Sequence, residues 1–314
     1  MTRSTSSAPT STPPSPTQSP RLPTNTSSTT SSPGGHTDPI TGTACKWNVF
    51  RICNTTTMDA NAVSGELIKS FGKRWYFITS DFAYGHTLQK AFVKNLKKAG
   101  GEYAGDMLPI NSADFSASLI KARAYKPNVL LNNMGGLAQI NCMKQFVQFG
   151  MDKDMALGGA LFEVESVLGC PPQAQTGWWD MEWWHDQPNV PHVAEFNDGI
   201  KKAYNVPCAT ARHWFGYVAI HTARLAADGA KSLDAVKLAK ATAGMTLPPE
   251  VALQPGQITY REGDHELMAG IFVGEVHSPK GDPGGVFSVA AIVPGADAAG
   301  SVAETGCKME MPAA

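Results

Sequence analysis

The chain has 314 residues, a formal net charge of −1 and 42% hydrophobic residues, enough for two domains with a substantial core. The near-zero charge and the lack of a basic stripe argue against nucleic acid or an acidic membrane as a partner. The longest apolar runs, such as residues 286–294, are far shorter than the roughly 18–20 residues of a membrane-spanning helix. We therefore predict a soluble protein.

The first 43 residues differ in composition from the rest of the chain. Thirty of them are Ser, Thr or Pro, and such a segment buries too little apolar surface to offset its ordering entropy. Arg3 is not followed by the apolar stretch that a secretory signal peptide requires. We predict that residues 1–44 are disordered and contain no signal peptide.

From Trp75 onward, strand patterns alternate with amphipathic helix patterns. The strand Trp75–Thr79 leads through the turn Ser80–Gly85 into a helix whose apolar face includes Leu88 and Phe92. The next predicted strands are Glu102–Leu108, Asn128–Asn132, Met155–Gly158 and Gly177–Trp183, and the predicted helices are Phe115–Tyr125, with Asp114 as N-cap, and one ending at Phe149. This alternation is typical of a parallel sheet with helices on both faces and predicts the α/β class.

After Pro188 the pattern becomes helical. The predicted helices are His192–Tyr204, Ala211–Asp228 and Ser232–Ala243, the last capped by Ser232. Strands return only near Gln257–Tyr260 and Met268–Val276. Three helices in succession need a sheet to cover, and no strand pattern next to them supplies one.

Motifs of the common enzyme classes are absent. The sequence has no G-x-S-x-G elbow, no G-x-x-x-x-G-K-[ST] phosphate loop and no G-x-G-x-x-G fingerprint. Glu182, His185 and Asp186 carry metal-capable atoms, but their spacing fits no usual helix site. Pairing of Cys45 with Cys307, which flank the globular region, remains open. We predict a protein that is not an enzyme and holds neither cofactor nor metal.

Five segments carry a family resemblance. They are Trp75–Gly85, with its acidic residue and aromatic-Ala-aromatic-Gly turn, Asp114–Ser116, Asn128–Leu131, Gly216–Ala219 and Ala303–Cys307. In order and spacing they resemble the leucine/isoleucine/valine-binding family of periplasmic solute receptors, the type I periplasmic binding proteins. The resemblance covers about residues 45–307. It implies two α/β lobes joined by three crossing strands, with the ligand in the cleft.

The resemblance also implies that one of the two lobes is truncated at its N-terminal side. Family members carry further strand–helix units before the segment that starts here at Asn48, so we expect one complete parallel-sheet lobe and an incomplete second lobe. The implied divisions are residues 45–60 and 186–260 for the incomplete lobe, 61–185 and 261–280 for the complete lobe, and 281–314 for a tail. Because the family's Ser/Thr loops for the ligand carboxylate are missing, we expect weak binding of leucine-like ligands or none.

The candidate ligand residues follow the predicted strands, at the sheet edge where α/β folds bind ligands. The resemblance assigns ligand contact to Tyr84 and the ammonium-binding carboxylate to Glu163, or to Glu165 if the alignment is shifted. An ammonium is best met by a carboxylate and an aromatic face. The remaining candidates are Ser80, Asp81 and Trp184. Helix capping for Asp81 and core packing for Trp184 are their structural alternatives.

The function implied by the resemblance is that of the substrate-binding component of an ABC-type uptake system for branched-chain or amide-like amino acids. Its partners would be the permease and ATPase subunits, and its location the periplasm. Two alternatives remain open: a ligand-sensing regulatory domain of the same family, and an inactive truncated gene product. A third hypothesis, a hydrolase-like α/β enzyme, has no support from any motif.

Overall fold

The computed structural model describes residues 28–313, and the predicted disorder of residues 1–27 falls outside this range. The strands are β1 (Thr30–Ser32), β2 (Val49–Arg51), β3 (Arg74–Ser80), β4 (Glu102–Leu108), β5 (Val129–Asn133), β6 (Ala156–Gly158), β7 (Trp178–Met181), β8 (Ile271–Val276) and β9 (Phe287–Val293). The helices are α1 (Thr56–Phe71), α2 (Ala83–Lys98), α3 (Ser116–Tyr125), α4 (Gly136–Gln148), α5 (Val164–Leu168), α6 (Val193–Tyr204), α7 (Ala211–Ala230), α8 (Ala235–Thr242), α9 (Pro249–Ala252), α10 (Gly295–Ala299) and α11 (Val302–Thr305). Within the described range, no helix is both long and apolar enough to span a membrane.

The larger sheet has seven strands in the order β4-β3-β5-β6-β7-β8-β9. The first five are parallel, whereas β8 pairs antiparallel with both of its neighbours. Six of the seven residues in Arg74–Ser80 are buried, as expected for a parallel strand covered on both faces. The predicted α/β fold is confirmed, with the correction that the sheet is mixed. The strand β9, which the sequence did not predict, is an exposed edge strand paired with β8.

Side chains along β3 alternate between two cores. Trp75 and Phe77 pack against α1 and α2 on one face of the sheet. Tyr76 and Ile78 pack against α3 and α4 on the other face. Successive strand residues point to opposite faces, so one aromatic-rich strand supplies both layers. The carboxyl edge of the sheet is left open toward the second lobe.

The second lobe combines a two-stranded parallel sheet, β1–β2, with the helices α6 to α9. Its core includes Phe50, Trp183, Trp214 and Tyr260. Within the described residues, the helices therefore cover only two strands, which agrees with an incomplete lobe. The predicted strand Gln257–Tyr260 is reduced to isolated bridges.

The predicted disorder is wrong for residues 28–44. The backbone of β1 pairs with β2, and the Arg51 guanidinium donates hydrogen bonds to the carbonyl oxygens of Gly35 at 3.1 Å and Thr37 at 2.7 Å. A disulfide joins Cys45 to Cys307, which confirms the pairing that the sequence left open. Backbone pairing, a buried cation and a covalent link thus order a segment whose composition offers no core of its own.

Two predicted helix caps are shifted. Asp114 lies one residue before the N-cap of α3, which is Phe115, and the Asp114 carboxylate accepts from the Ser116 backbone N–H at 2.9 Å. Ser232 does not cap α8, because Asp234 is the N-cap and accepts hydrogen bonds from the first turn. Both shifts are small, and in each case a side chain at the helix start still satisfies free backbone N–H groups.

Three connections pass between the lobes, at residues 52–55, 182–192 and 268–270 of the described chain. Gln254 joins two of them, because its Nε2 donates to the Glu182 carbonyl at 2.8 Å and its Oε1 accepts from the Gly270 N–H at 2.7 Å. The Asn54 backbone N–H donates to Glu182 Oε1 at 2.5 Å. Glu182 therefore lies where all three connections meet.

Candidate ligand-binding site

A cavity of about 340 Å³ lies at the carboxyl edge of the seven-stranded sheet. The loops after β3, β5 and β6 form its floor, and the first turn of α7 and the segment before β2 close it from the second lobe. Its polar wall is formed by His36, Tyr84, Gln139, Glu163, Glu165 and Arg212. This is the edge where open α/β sheets bind their ligands.

Glu163 is a buried acid with no partner of its own. It is the N-cap of α5 and is 5% exposed, and neither carboxylate oxygen makes a hydrogen bond of normal geometry. Burial raises the pKa of Glu163 to about 8; Arg212 and a nearby backbone N–H of Glu182 oppose this shift, while Glu165 adds to it. A cation placed in the cavity would supply the missing partner and favour the charged form.

Arg212 faces the same cavity from the first turn of α7. Burial opposes its charge, but the carboxylates of Glu163 and Glu182 outweigh this effect and raise the pKa of the guanidinium. Among the described residues, no carboxylate lies within 4.0 Å of it. The Arg212 guanidinium, with its five N–H donors in one plane, can therefore donate hydrogen bonds to the carboxylate of a ligand.

Tyr84 lies in the first turn of α2, where the turn after β3 enters the helix. Its ring meets His36 edge-on at 6.4 Å between centroids. The ring is partly exposed to the cavity, but its hydroxyl lies deep, and burial, followed by the charges of Asp59 and Asp180, raises the pKa of the phenol. The side chain thus presents an aromatic face and a neutral hydroxyl to a bound molecule.

A group of buried acids lies beneath the cavity. Asp59 on α1, Asp180 on β7 and Glu182 after β7 are each 1% exposed or less. Both oxygens of Asp59 and one of Asp180 lack a hydrogen bond of normal geometry, although Asn54 and the two acids themselves are close enough to interact. Burial raises the pKa of Asp180 to about 7 and those of Asp59 and Glu182 well above their usual range.

Three of the six predicted ligand residues lie in the cavity wall: Tyr84, Glu163 and Glu165. Glu163 is buried, whereas Glu165 is exposed at the rim. The other three lie elsewhere. Ser80 is buried with its hydroxyl 3.5 Å from Met134 Sδ, Asp81 contacts His86 at 2.8 Å on the surface, and Trp184 packs in the sheet core against Phe287. We propose no ligand contact for these three.

Sequence reasoning did not find Arg212 or His36. Arg212 lies between Ala211 and His213 in a helix whose partner lobe is remote in sequence, and His36 lies in the Ser/Thr/Pro-rich stretch. Asp180 did carry a usable signal, because a carboxylate inside the strand Trp178–Met181, three of whose four residues are buried, requires a special reason to be there.

The comparisons with known proteins agree with this geometry. The family model described as "Periplasmic binding protein" matches residues 23–282. A periplasmic binding protein from Burkholderia mallei superimposes with a TM-score of 0.81 at 22% identity, over 88% of this chain and 73% of that one. A branched-chain amino acid ABC transporter periplasmic ligand-binding protein from Burkholderia xenovorans gives 0.77 at 23% identity, over 89% and 74%.

A third solved structure is a solute-binding protein of an ABC transporter from R. palustris in complex with benzoate. It gives a TM-score of 0.72 at 19% identity, over 84% of this chain and 71% of that one. No curated protein matches the chain. The family model covers most of the sequence, and the fold is shared with solved members. The chain therefore belongs to the periplasmic binding protein family.

Proposed function

We propose that the chain is the solute receptor of an ABC-type uptake transporter and that its ligand is a small zwitterion such as an amino acid. The observation that carries this proposal is the pair of opposite charges in one cavity, Glu163 and Arg212. Glu163 is buried and Arg212 is exposed, and neither has an ionic partner within 4.0 Å among the described residues. An unpaired buried carboxylate costs several kcal/mol, and a guanidinium in the cavity wall can form charge-assisted hydrogen bonds with a ligand carboxylate. A ligand with both charges is therefore favoured over a ligand with one.

The two charged side chains divide the ligand between the lobes. Glu163 follows β6 of the first lobe and receives the ammonium, and Tyr84 offers an aromatic face to the same group, worth about 0.5–2 kcal/mol. Arg212 belongs to α7 of the second lobe and receives the carboxylate. In this proposal the guanidinium of Arg212 binds the ligand carboxylate, in place of the Ser/Thr loops that the family resemblance led us to look for. Arg212 is therefore a reason to expect binding by this chain, in contrast to the weak binding or none that the sequence led us to expect.

The cavity size restricts the class of ligand. Small-molecule pockets in proteins span about 300–1,000 Å³, and this one, about 340 Å³, suits a single amino acid. A monoacid such as the benzoate bound by the R. palustris protein would satisfy Arg212 but leave Glu163 buried without a cation. This difference favours amino acids over aromatic acids as ligands of this chain.

Recognition and lobe closure are the whole mechanism that we propose. A ligand that contacts Glu163 on one lobe and Arg212 on the other stabilises the closed arrangement, because both contacts form only when the lobes approach. The closed form then docks on a membrane permease, which its ATPase drives. The proposal includes a periplasmic location and no catalytic step.

Calorimetry with matched ligands tests the proposal. Leucine, leucinamide, which lacks the carboxylate, and 4-methylpentanoate, which lacks the ammonium, would be titrated into the full chain. We expect the zwitterion to bind at least about tenfold more tightly than either analogue. A panel of amino acids extends the measurement if leucine itself is the wrong side chain. Equal affinity for the acid alone, or no binding by any amino acid, contradicts the proposal.

Two substitutions and one control locate the charges. Glu163→Gln and Arg212→Gln are each expected to weaken binding by about 10- to 100-fold, the range for hydrogen bonds to charged groups. Glu165→Gln is the matched control at the exposed rim, and we expect its affinity to stay within about threefold of the unsubstituted chain because a screened surface charge contributes little. A larger loss of affinity in Glu165→Gln than in Glu163→Gln would instead assign the ammonium to Glu165.

A further inference from the structure

We propose that His36, Cys53 and Glu182 form a binding site for a divalent, borderline-soft cation, with Zn²⁺ as the best fit. One ligand atom from each residue lies within 4.8 Å of the other two. All three side chains are buried, at 7%, 0% and 1% exposure. The three residues lie far apart in the sequence, and the fold alone brings them together.

The distances are close to those of a tetrahedral zinc site. Zinc holds nitrogen and oxygen at about 2.0–2.2 Å and sulfur at about 2.3 Å, so its ligand atoms stand roughly 3.3–3.8 Å apart. His36 Nε2 and Glu182 Oε2 already lie 3.0 Å apart, and the largest separation in the set is within 4.8 Å. A contraction of about 1 Å at Cys53 completes the three-ligand geometry.

His36 Nε2 and Glu182 Oε2 hydrogen-bond to each other at 3.0 Å, and a cation placed between them would displace the shared proton. Glu182 uses Oε1 to accept from the Asn54 backbone N–H at 2.5 Å, which orients the carboxylate and directs Oε2 at His36. Cys53 has only a weak contact, 3.9 Å from Sγ to the Ser32 carbonyl oxygen. A hydrogen-bonded carboxylate oxygen behind a ligand is the usual outer support of a metal site.

An acid without a hydrogen-bond partner of normal geometry lies next to the set and points to a cation. Asp59 is fully buried, neither of its carboxylate oxygens has a hydrogen bond of normal geometry, and it interacts electrostatically with both Cys53 and Glu182. Two positive charges of the second lobe act on the set: Arg51, which is already paired with Glu266 at 2.6 Å and donates to backbone carbonyls, and Arg212, which acts on His36 and Glu182 from the cavity. A divalent cation would supply a partner for these buried acids.

The donor set selects the metal. Thiolate and imidazole ligands favour zinc and copper over magnesium and calcium, which require oxygen ligands. His36 also lines the ligand cavity, so a metal bound by these residues would lie next to that cavity. Three protein ligands and one open position are typical of zinc sites that bind further groups.

Cobalt spectroscopy on the full chain tests the site without any amino-acid ligand, so its outcome is independent of the proposed transport function. Metal-free protein would be titrated with Co²⁺, then with Zn²⁺ as a competitor. We expect one Co²⁺ per chain, a thiolate-to-cobalt charge-transfer band, and displacement of the band by Zn²⁺. Absence of the band in the unsubstituted, folded protein overturns the proposal.

Matched variants assign the ligands. Cys53→Ser is expected to abolish the charge-transfer band and to weaken Zn²⁺ binding at least about tenfold, and Glu182→Gln to weaken binding with the band retained. Cys142→Ser, which removes a buried free cysteine of the other core, is expected to leave both unchanged. If Cys53→Ser does not fold, the spectrum of the unsubstituted chain and the Glu182→Gln variant decide. Loss of the band in Cys142→Ser instead of Cys53→Ser contradicts the assignment.

Discussion

At the scale of single residues, the cavity is unusual because a buried carboxyl group, Glu163, and a guanidinium without an ionic partner, Arg212, lie in the same wall. Glu163 and Arg212 interact across the cavity, and each changes the titration of the other. Burial nevertheless dominates at Glu163 and raises its pKa to about 8. In the free protein at neutral pH, Glu163 is therefore mostly protonated, and a bound ammonium must displace that proton. This coupling makes ligand affinity depend on pH.

We predict that ligand binding releases a proton at pH 7 and becomes tighter as the pH rises toward 8. The pKa of Glu163 is raised from its usual 4.5 to about 8, so the carboxylate form that an ammonium needs increases up to about tenfold per pH unit below that value. Calorimetry at pH 6, 7 and 8, in two buffers with different ionisation heats, measures both the affinity and the released proton.

The charged groups around Glu163 that bear on this titration are Arg212, Glu165 and Asp180. Glu163→Gln is the control, and we expect its residual binding to lose most of the pH dependence. The stability of the free protein has the opposite dependence: a raised carboxyl pKa contributes stability that is complete below pH 4.5 and is lost as the pH rises through about 8. An affinity that is constant from pH 6 to 8 with no proton release would falsify this assignment.

At the scale of the elements, the turn from β3 to α2 positions Tyr84. The turn is tight because Gly85 packs directly on the backbone that precedes it: a Cβ at this position would stand 2.0 Å from the Ser80 carbonyl oxygen and 2.9 Å from Thr79 Cγ2. No side chain other than hydrogen fits against a backbone atom at that distance. The residue that brings Tyr84 to the cavity is therefore its neighbour, Gly85.

We predict that Gly85→Ala lowers the free energy of unfolding by about 1–3 kcal/mol, the usual cost of overpacking, and weakens ligand binding by displacing Tyr84. Gly65→Ala is the control. Gly65 lies within α1, and a Cβ there meets nothing within 4 Å, so we expect a gain of about 0.5–1 kcal/mol from helix propensity. Urea unfolding and calorimetry measure the two effects. Equal unfolding free energies and ligand affinities for Gly85→Ala and Gly65→Ala would mean that the turn has room for a Cβ at Gly85.

The elements that the sequence predicted well are those with local patterns. The strand Trp75–Thr79 and the helix after it were predicted because aromatic alternation and apolar spacing are visible within a few residues. The carboxyl edge of the sheet followed from them, and with it the positions of Tyr84 and Glu163. Trp184 was misplaced because four tryptophans in Trp178–Trp184 do not show which of them faces the core and which the cleft.

Contacts between distant segments were not predictable from these patterns. The segment from Thr30 to Cys45 has the composition of a disordered chain, yet it is ordered by pairing with β2 and by Cys307, and both partners lie outside the segment. His36 reaches the cavity only through this non-local order. The role of Arg212 was not predictable for a similar reason, because α7 meets the first lobe only in the folded protein.

At the scale of the whole molecule, the two lobes meet at one group of buried charged and polar side chains around Glu182. The three connections between them meet at Glu182, whose carboxylate contacts His36 and Asn54, and the ligand cavity opens next to this point. A hinge built from buried polar groups responds to charge, since any cation that enters, whether an ammonium or a metal, changes the balance of repulsion among the acids. We therefore expect the proposed ligand binding and lobe closure to be coupled through the same group of residues.

The ends of the described chain are coupled as well, through the disulfide between Cys45 and Cys307, which are 262 residues apart. We predict that the double variant Cys45→Ser/Cys307→Ser loses about 2–5 kcal/mol of unfolding free energy, because closing a long loop restricts the unfolded chain strongly. The loss releases the segment that carries His36, so we also expect weaker binding in the cavity. Urea unfolding with and without a reductant measures the effect.

The reductant should destabilise the unsubstituted chain to the level of the variant. It should leave the variant unchanged, because the remaining cysteines, Cys53, Cys142, Cys170 and Cys208, are free thiols. A variant as stable as the oxidised chain would show that backbone pairing alone holds the segment.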